Sequence, residues 1–321
     1  MKRVYLLALL LFLGCATNIK KEPREKKINM GVDISSHSGM GDRQLPNIES
    51  NQNQKNSIGP FPIVESDAYL NKKKSVNKSV IGLILGPGIN RVLCHIPILK
   101  ELEIQGQPIH VITGTGMGAV VASLYSSGMK PDKIEWIFYN FSKKVKGIRP
   151  YSKKWIEAAK SILLKGLTKK KIQNTKIRLA IPKFNKTKQR VDYITRGRIK
   201  SLLIDQHLSF NTNNSTKGIV PFQKEVFNQS KLIKLGADKT IAIDVLDNKI
   251  EFEITDHYLT GIFGRITGII GNEKERIDIF ITMSSAGMPL DSTKLLPGYL
   301  QNCMVRSREV VKRIKSTLEI N

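Results

Sequence analysis

The chain has 321 residues, 40% of them hydrophobic and 7% aromatic, which suits one large globular domain with extensions rather than several domains. Its 52 Lys and Arg against 27 Asp and Glu give a formal net charge of +25, so the surface should attract anions. Lipid headgroups, nucleic acids and other acidic polymers all remain open, because charge alone does not choose among them.

The first residues have the pattern of a secretory signal. A basic pair precedes an apolar run at residues 4–13, which is too short to span a bilayer as a helix of the mature protein. The run ends in Gly14-Cys15-Ala16, which resembles the lipobox of bacterial lipoproteins, although Phe12 stands where leucine is usual. We therefore expect a signal peptide at 1–15 with an acylated Cys15. An ordinary cleaved signal with a leftover cysteine is the alternative.

This signal predicts a place in the cell envelope, lipid-anchored to a membrane, at the outer membrane or facing the periplasm in a Gram-negative cell. Residues 16–78 are rich in Lys, Asn, Ser, Gly and Glu and have no apolar period, which indicates a flexible basic and polar tether. Folded patterning covers 79–321. There Cys94 and Cys303 could pair in an oxidising envelope, but we interpret both as small buried apolar groups.

From residue 79 onward, apolar strands alternate with helical patterns, which is typical of an α/β domain with a mainly parallel sheet. Pro97 predicts a kink or an early-turn defect in the first helix. Asp132 followed by Glu135 resembles a capping box that opens the third helix. The predicted strands cover 80–85, 109–113, 176–181, 239–245 and 277–283, and the predicted helices include 91–103, 119–126 and 305–318.

Three ordered stretches carry a family resemblance: LILGPGINRVLCHIPILKELE at 83–103, IHVITGTGMGAVVASLYSSGM at 109–129 and LGADKTIAIDV at 235–245. They look like the landmarks of the patatin-like phospholipase family. That family has a glycine-rich loop ending in Arg-Gly, a Gly-x-Ser-x-Gly turn, and an Asp-Gly-Gly stretch upstream of Leu-Gly-Ala-Asp. The resemblance implies a three-layer α/β/α fold and a serine–aspartate dyad that cleaves acyl esters of lipids.

The chemistry of such a dyad needs a hydroxyl at the tip of the strand-to-helix turn, a base to accept its proton, and backbone N–H groups to stabilise the oxyanion. Here the turn reads Gly114-Thr115-Gly116-Met117-Gly118. Gly116 therefore stands at a vestigial nucleophile position and presents no oxygen. Thr115 should point in another direction. We expect no catalytic residue at this turn.

The loop after the first strand also departs from the family pattern. If Arg91 matches the family's loop arginine, Gly86 and Gly88 belong to the oxyanion-type loop, and Pro87 removes one possible N–H donor. The same loop could instead bind an anion at a helix N-terminus, with Arg91 as the counter-charge. A tight turn without a ligand is the other interpretation. His95 is interpreted as structural packing.

No aspartate stands at the expected base position. Counting back without gaps from Leu-Gly-Ala-Asp at 235–238 puts Val220 there, as a vestigial base position. Because the segment 197–220 looks shortened, Asp205 or Glu225 could serve as the base instead.

Other interpretations were weighed against these. Gly114, Gly116 and Ala119 fit a dinucleotide fingerprint, but Asp132 falls at a helix start rather than at the end of a following strand. The segment 153–171 interleaves apolar residues with lysines, as in an interfacial helix, although docking on the sheet with a solvated lysine face explains it as well. We expect no metal, no cofactor and no nucleic-acid partner.

These observations lead to two functional hypotheses. The first is a lipid-anchored pseudoenzyme of the cell envelope that binds lipid, for which anionic lipid is a candidate, or a protein partner. The second is an active lipid acyl hydrolase with a rearranged nucleophile.

Overall fold

A six-stranded sheet organises the computed structural model, which describes residues 79–209 and 220–320. The strand order is β4-β3-β2-β1-β5-β6, and every neighbouring pair is parallel except β3 and β4. The strands are β1 (Ile81–Leu85), β2 (Val111–Gly114), β3 (Arg178–Asn185), β4 (Arg190–Ile194), β5 (Lys239–Asp244) and β6 (Ile279–Thr282).

The central strand β1 is buried along its whole length, as expected for a strand covered on both faces. The five parallel strands were predicted, with bounds that differ from the observed ones by at most four residues at either end. Strand β4 was not predicted. It pairs antiparallel with β3 at the edge of the sheet, and only Val191 of its five residues is buried.

Eight α-helices surround the sheet: α1 (His95–Ile104), α2 (Met117–Ser126), α3 (Pro131–Lys144), α4 (Lys153–Ile162), α5 (Ile199–Leu203), α6 (Gln229–Lys234), α7 (His257–Glu273) and α8 (Leu296–Ile320). Helix α1 packs against α3 and α8, α2 packs on β2, and α6 packs on β5. With the mainly parallel sheet, this confirms the predicted α/β/α fold.

Several helix boundaries correct the sequence interpretation. The segment Ile89–Cys94 is a 3-10 helix, and Pro97 lies in the first turn of α1, where a missing N–H costs little. The predicted capping box at Asp132 is wrong, because α3 begins at Pro131 and its N-cap Lys130 makes no side-chain cap. Helix α8 begins at Leu296, nine residues before the predicted start at residue 305.

The lysine-rich segment 153–171 docks on the protein core. Trp155 is 1% exposed, and Leu163, Leu164 and Leu167 are also buried. The apolar side of the segment is therefore unavailable to a bilayer, and the interfacial-helix interpretation is wrong for it.

Cys94 and Cys303 form a disulfide with a Cα–Cα distance of 5.4 Å. Both are buried, as expected, but the interpretation as separate apolar groups is wrong. The bond joins the residue before α1 to the second turn of α8, so it fastens the C-terminal helix to the layer that carries α1.

The predicted signal at 1–15, Cys15 and the tether at 16–78 lie outside the described residues. Within the described part of the chain, none of the helices combines the length and the apolar character needed to cross a membrane.

Candidate active site at the Gly116 turn

The sharp turn between β2 and α2 has the geometry that a nucleophile would require. Gly116 is the N-cap residue of α2, with φ 55° and ψ −130°. A residue with a side chain rarely adopts this conformation, and it persists only where the surroundings enforce it. Glycine takes it without steric penalty. The fold therefore retains the strand–turn–helix device without a side chain at its tip.

The two flanking glycines explain how the turn can be so tight. A Cβ on Gly114 would lie 2.6 Å from the carbonyl carbon of Gly118, and a Cβ on Gly118 would lie 2.4 Å from the carbonyl oxygen of Gly86. Any larger residue would force backbone apart at these points. The first turn of α2 can therefore approach both its own strand and the loop after β1.

Hydrophobic groups fill the space beside the tip. A Cβ placed on Gly116 would lie 3.0 Å from Cβ of Pro87 and 3.6 Å from the ring of Phe222, which is fully buried. A serine there would need Pro87 to give way by a few tenths of an ångström.

A histidine holds the backbone of the tip. The Gly116 N–H donates to Nδ1 of His207 over 3.2 Å, and the opposite ring nitrogen, Nε2, donates to the Pro182 carbonyl over 3.0 Å. Burial lowers the pKa of His207 to about 4, so the ring is neutral at physiological pH. His207 therefore acts as a positioned acceptor for the turn and carries no charge.

Sequence reasoning missed His207 and considered Asp205 instead. Asp205 is exposed and lies two residues earlier on a π-helical turn, Ile204–Leu208. No local pattern in the sequence marks such a turn, and it is this turn that directs His207 inward.

The segment expected to hold the base carries none at the expected position. Val220 is 2% exposed, and Phe222, two residues on, supplies the ring beside Gly116. Glu225 is half-buried and accepts a hydrogen bond from Asn228 Nδ2 over 2.6 Å. Asp238, from the Leu-Gly-Ala-Asp stretch, accepts the Val80 N–H over 2.7 Å at the start of β1, so it ties two strands together.

The loop after β1 is held from within the protein. Gly86 donates its N–H to the Ile243 carbonyl, and its own carbonyl accepts a hydrogen bond from Nε2 of His95 over 2.9 Å. Burial lowers the pKa of His95 to about 4. His95 therefore has a structural role, in which its neutral ring positions the Gly86 carbonyl of the loop.

Arg91 serves structure rather than anion binding. It is fully buried, and its guanidinium donates to the backbone carbonyls of Met288, Leu246 and Lys249, the first over 2.7 Å and the last over 2.9 Å. These contacts tie the loop after β1 to the segments that follow β5 and β6. The expectation that Arg91 is the counter-charge of an anion at Gly88 is therefore corrected.

Two hydroxyl groups near the turn have no base in contact among the described residues. Thr115 is 1% exposed and Ser123 is fully buried, and neither side-chain oxygen has a hydrogen-bond partner among the described residues. A hydroxyl without a base in contact is a poor nucleophile. Over the same residues, no cluster of three or more His, Cys, Asp or Glu side chains could hold a metal ion. Asp132, the acid of the dinucleotide interpretation, pairs with Lys100 over 2.6 Å.

Comparison with known proteins identifies related sequences. Residues 83–240 match the family model described as patatin-like phospholipase. Lysophospholipase NTE1 of Kluyveromyces lactis is 41% identical over 58 residues, 18% of this chain and 4% of that protein. Lysophospholipase NTE1 of Debaryomyces hansenii is 26% identical over 129 residues, 40% of this chain and 8% of that protein. The matches thus span less than a tenth of these relatives.

Solved structures with a similar fold include VipD from Legionella pneumophila, with a TM-score of 0.43 and 10% identity over 74% of this chain and 67% of that one. The ExoU–SpcU complex of Pseudomonas aeruginosa gives a TM-score of 0.37 and 12% identity, over 75% of this chain and 52% of that one. The matched family segment includes both the loop after β1 and the Gly116 turn. The chain therefore belongs to the patatin-like phospholipase family.

Proposed function

We propose that this protein is a patatin-like pseudoenzyme, anchored by lipid in the cell envelope, that binds lipid or a protein partner without cleaving acyl esters. One observation carries the proposal: the tip of the turn is Gly116, which has no oxygen to attack an acyl carbon. The family match supports a fold that in other members hydrolyses lipids. We therefore infer that the missing hydroxyl affects the reaction and leaves the fold intact.

The surroundings of the tip support this proposal. The N–H of Gly116 is bonded to His207, and the ring of Phe222 borders the position of the missing side chain. The candidate base positions are Val220, which cannot accept a proton, Asp205, which is exposed at the surface, and Glu225, a half-buried carboxylate that accepts a hydrogen bond from Asn228. The rearranged-nucleophile alternative finds no support in Thr115, whose hydroxyl contacts no base among the described residues.

The lipid anchor and the envelope location remain part of the proposal. They rest on the apolar run that ends in Gly14-Cys15-Ala16. The Cys94–Cys303 disulfide supports an oxidising compartment, because such bonds persist outside the reducing cytosol. The similarity to lysophospholipase NTE1 of Kluyveromyces lactis supports a lipid as the ligand class.

A fluorophosphonate probe tests the absence of a nucleophile. The wild-type protein should remain unlabelled under conditions in which an active patatin-like lysophospholipase labels fully. Stoichiometric labelling of any serine or threonine in the wild-type protein would reject the proposal and identify the rearranged nucleophile.

A second experiment asks how much of the site is lost. Gly116→Ser alone should give little ester cleavage, because the groups beside a Cβ at this position are Pro87 and Phe222 rather than a carboxylate, whereas Gly116→Ser with Val220→Asp should give more if Val220 stands at the base position. Gly271→Ser is the matched control, since a Cβ on Gly271 meets nothing within 4 Å. Brisk turnover by Gly116→Ser alone would show that an unrecognised base survives.

A further inference from the structure

One outer face of the domain, made by α3 and α8, combines exposed aromatic and apolar groups with basic ones. Trp136 is 63% exposed, and its ring stacks on Tyr139 with centroids 6.0 Å apart. The two rings and Leu300 of α8 line a cavity of about 220 Å³ between the helices. Met304, 38% exposed, follows Leu300 by one helical turn.

Basic side chains extend this face along both helices. On α3, Lys133 and Lys143 are exposed at helical spacing from Trp136 and Tyr139, and the Lys143 ammonium lies 4.4 Å from the centroid of the Tyr139 ring. On α8, the exposed Arg308 follows Met304 by one turn. Each helix therefore offers apolar groups next to lysine or arginine.

Two acids, Asp132 and Glu135, also line the cavity. Asp132 is paired with Lys100 over 2.6 Å. Burial raises the pKa of Glu135, which makes its carboxylate easier to neutralise near an anionic surface. The face is basic at its edges, and its centre combines two aromatic rings and Leu300 with these two carboxylates.

We propose that this α3–α8 face docks on an anionic lipid bilayer, with Trp136 entering the headgroup region. A bilayer offers phosphates for the basic groups and an interface that indole rings favour, and it meets both needs over one surface. The proposal deepens the proposed function, since it rests on the domain working beside a membrane. It does not depend on acylation or on the loss of catalysis.

The positions of the two tryptophans allow a fluorescence test of this proposal. The chain contains only Trp136 and Trp155, and Trp155 is 1% exposed with its ring edge-on to Phe141. A change in tryptophan emission on binding therefore reports Trp136. The full chain carrying Cys15→Ser, which cannot be acylated at this residue, is titrated with vesicles of phosphatidylcholine alone and of an equimolar mixture with phosphatidylglycerol.

We expect binding to the mixed vesicles, a blue shift of the emission, quenching by brominated acyl chains and weakening by added salt. Trp136→Ala should lower the affinity about tenfold, in proportion to the ring area withdrawn from water. Ile233→Ala is the control, because Ile233 is 49% exposed on α6, a helix that packs on β5 and is not part of this face. Emission from Trp155 verifies that each variant is folded.

Two results would overturn the proposal. Binding without an emission change, or with equal loss in Trp136→Ala and Ile233→Ala, would mean that another surface carries the contact. No binding to either vesicle would mean that the face serves a protein partner instead. Either result leaves the pseudoenzyme question to the fluorophosphonate experiment, so the two proposals fail separately.

Discussion

Loss of the Cys94–Cys303 disulfide should destabilise the domain strongly, because the bond closes a loop with a sequence separation of 209 residues. The chain-entropy relation for a loop of this size gives about 5 kcal/mol, which is an upper estimate because the unfolded chain retains some structure. We therefore expect Cys94→Ala with Cys303→Ala to lower the free energy of unfolding by about 2–5 kcal/mol. That is a large share of the stability of an ordinary domain.

Urea denaturation of the Cys15→Ser protein, with and without reductant, measures the effect. Reductant should shift the unfolding midpoint of this protein down to that of the double alanine variant, and should leave the variant unchanged. Mass spectrometry after alkylation of the oxidised protein should find both cysteines protected. Free thiols in the native protein, or equal stability with and without reductant, would refute the reasoning and remove one support for an oxidising compartment.

Two further predictions concern stability. Burial raises the pKa of Glu273 from its ordinary 4.5 to about 7, so the contribution of its protonated form to stability is complete below about pH 4.5 and is lost as pH rises through 7. In Glu273→Gln, which does not titrate, the free energy of unfolding should therefore fall by about 1 kcal/mol less between pH 5 and pH 7.5. Urea titrations of the two proteins at both pH values measure this difference. An unchanged pH dependence would contradict this. Gly118→Ala should lower the free energy of unfolding by about 1–3 kcal/mol, because the new Cβ would lie 2.4 Å from a backbone oxygen. The control Gly264→Ala, at an exposed position of α7, should be neutral or stabilising. Equal effects of the two substitutions in thermal melts would reject the packing argument.

The strands that position the site were predictable because they are apolar runs bounded by glycine. Burial on both faces of β1 leaves an unmistakable pattern, and the Gly114–Gly118 turn after β2 is marked by its own glycines. Strand β4 and helices α5, α6 and α7 were not predicted. Strand β4 alternates polar and apolar residues over its first four positions, but it is only five residues long and lies at one edge of the sheet. That edge of the sheet was therefore missed.

The candidate site divides in the same way. The absence of a hydroxyl at position 116 could be predicted from the sequence, because the Gly-x-Ser-x-Gly motif specifies which residue should occupy the tip of the turn. The contacts that replace the hydroxyl were not, since His207 and Phe222 reach the turn from segments 91 and 106 residues away along the chain. Arg91 was misread for a related reason, because its three carbonyl partners belong to distant loops. The spacing of residues along the chain does not predict contacts between segments that are so far apart in sequence.

The missing serine and the filled site are physically connected. A side-chain-bearing residue at this turn costs of order 1–3 kcal/mol in backbone strain, which an enzyme tolerates only because the reaction needs the hydroxyl there. Once that need is gone, Gly116 relieves the strain, and the neighbouring groups can pack as a core: Phe222 covers the tip, and a neutral His207 satisfies its N–H. Each of these contacts helps to hold the turn in place. A serine at this position would need Pro87 to shift by a few tenths of an ångström, and under the proposed function it would also need a base that Val220 cannot supply, which makes a return to catalysis by one substitution unfavourable.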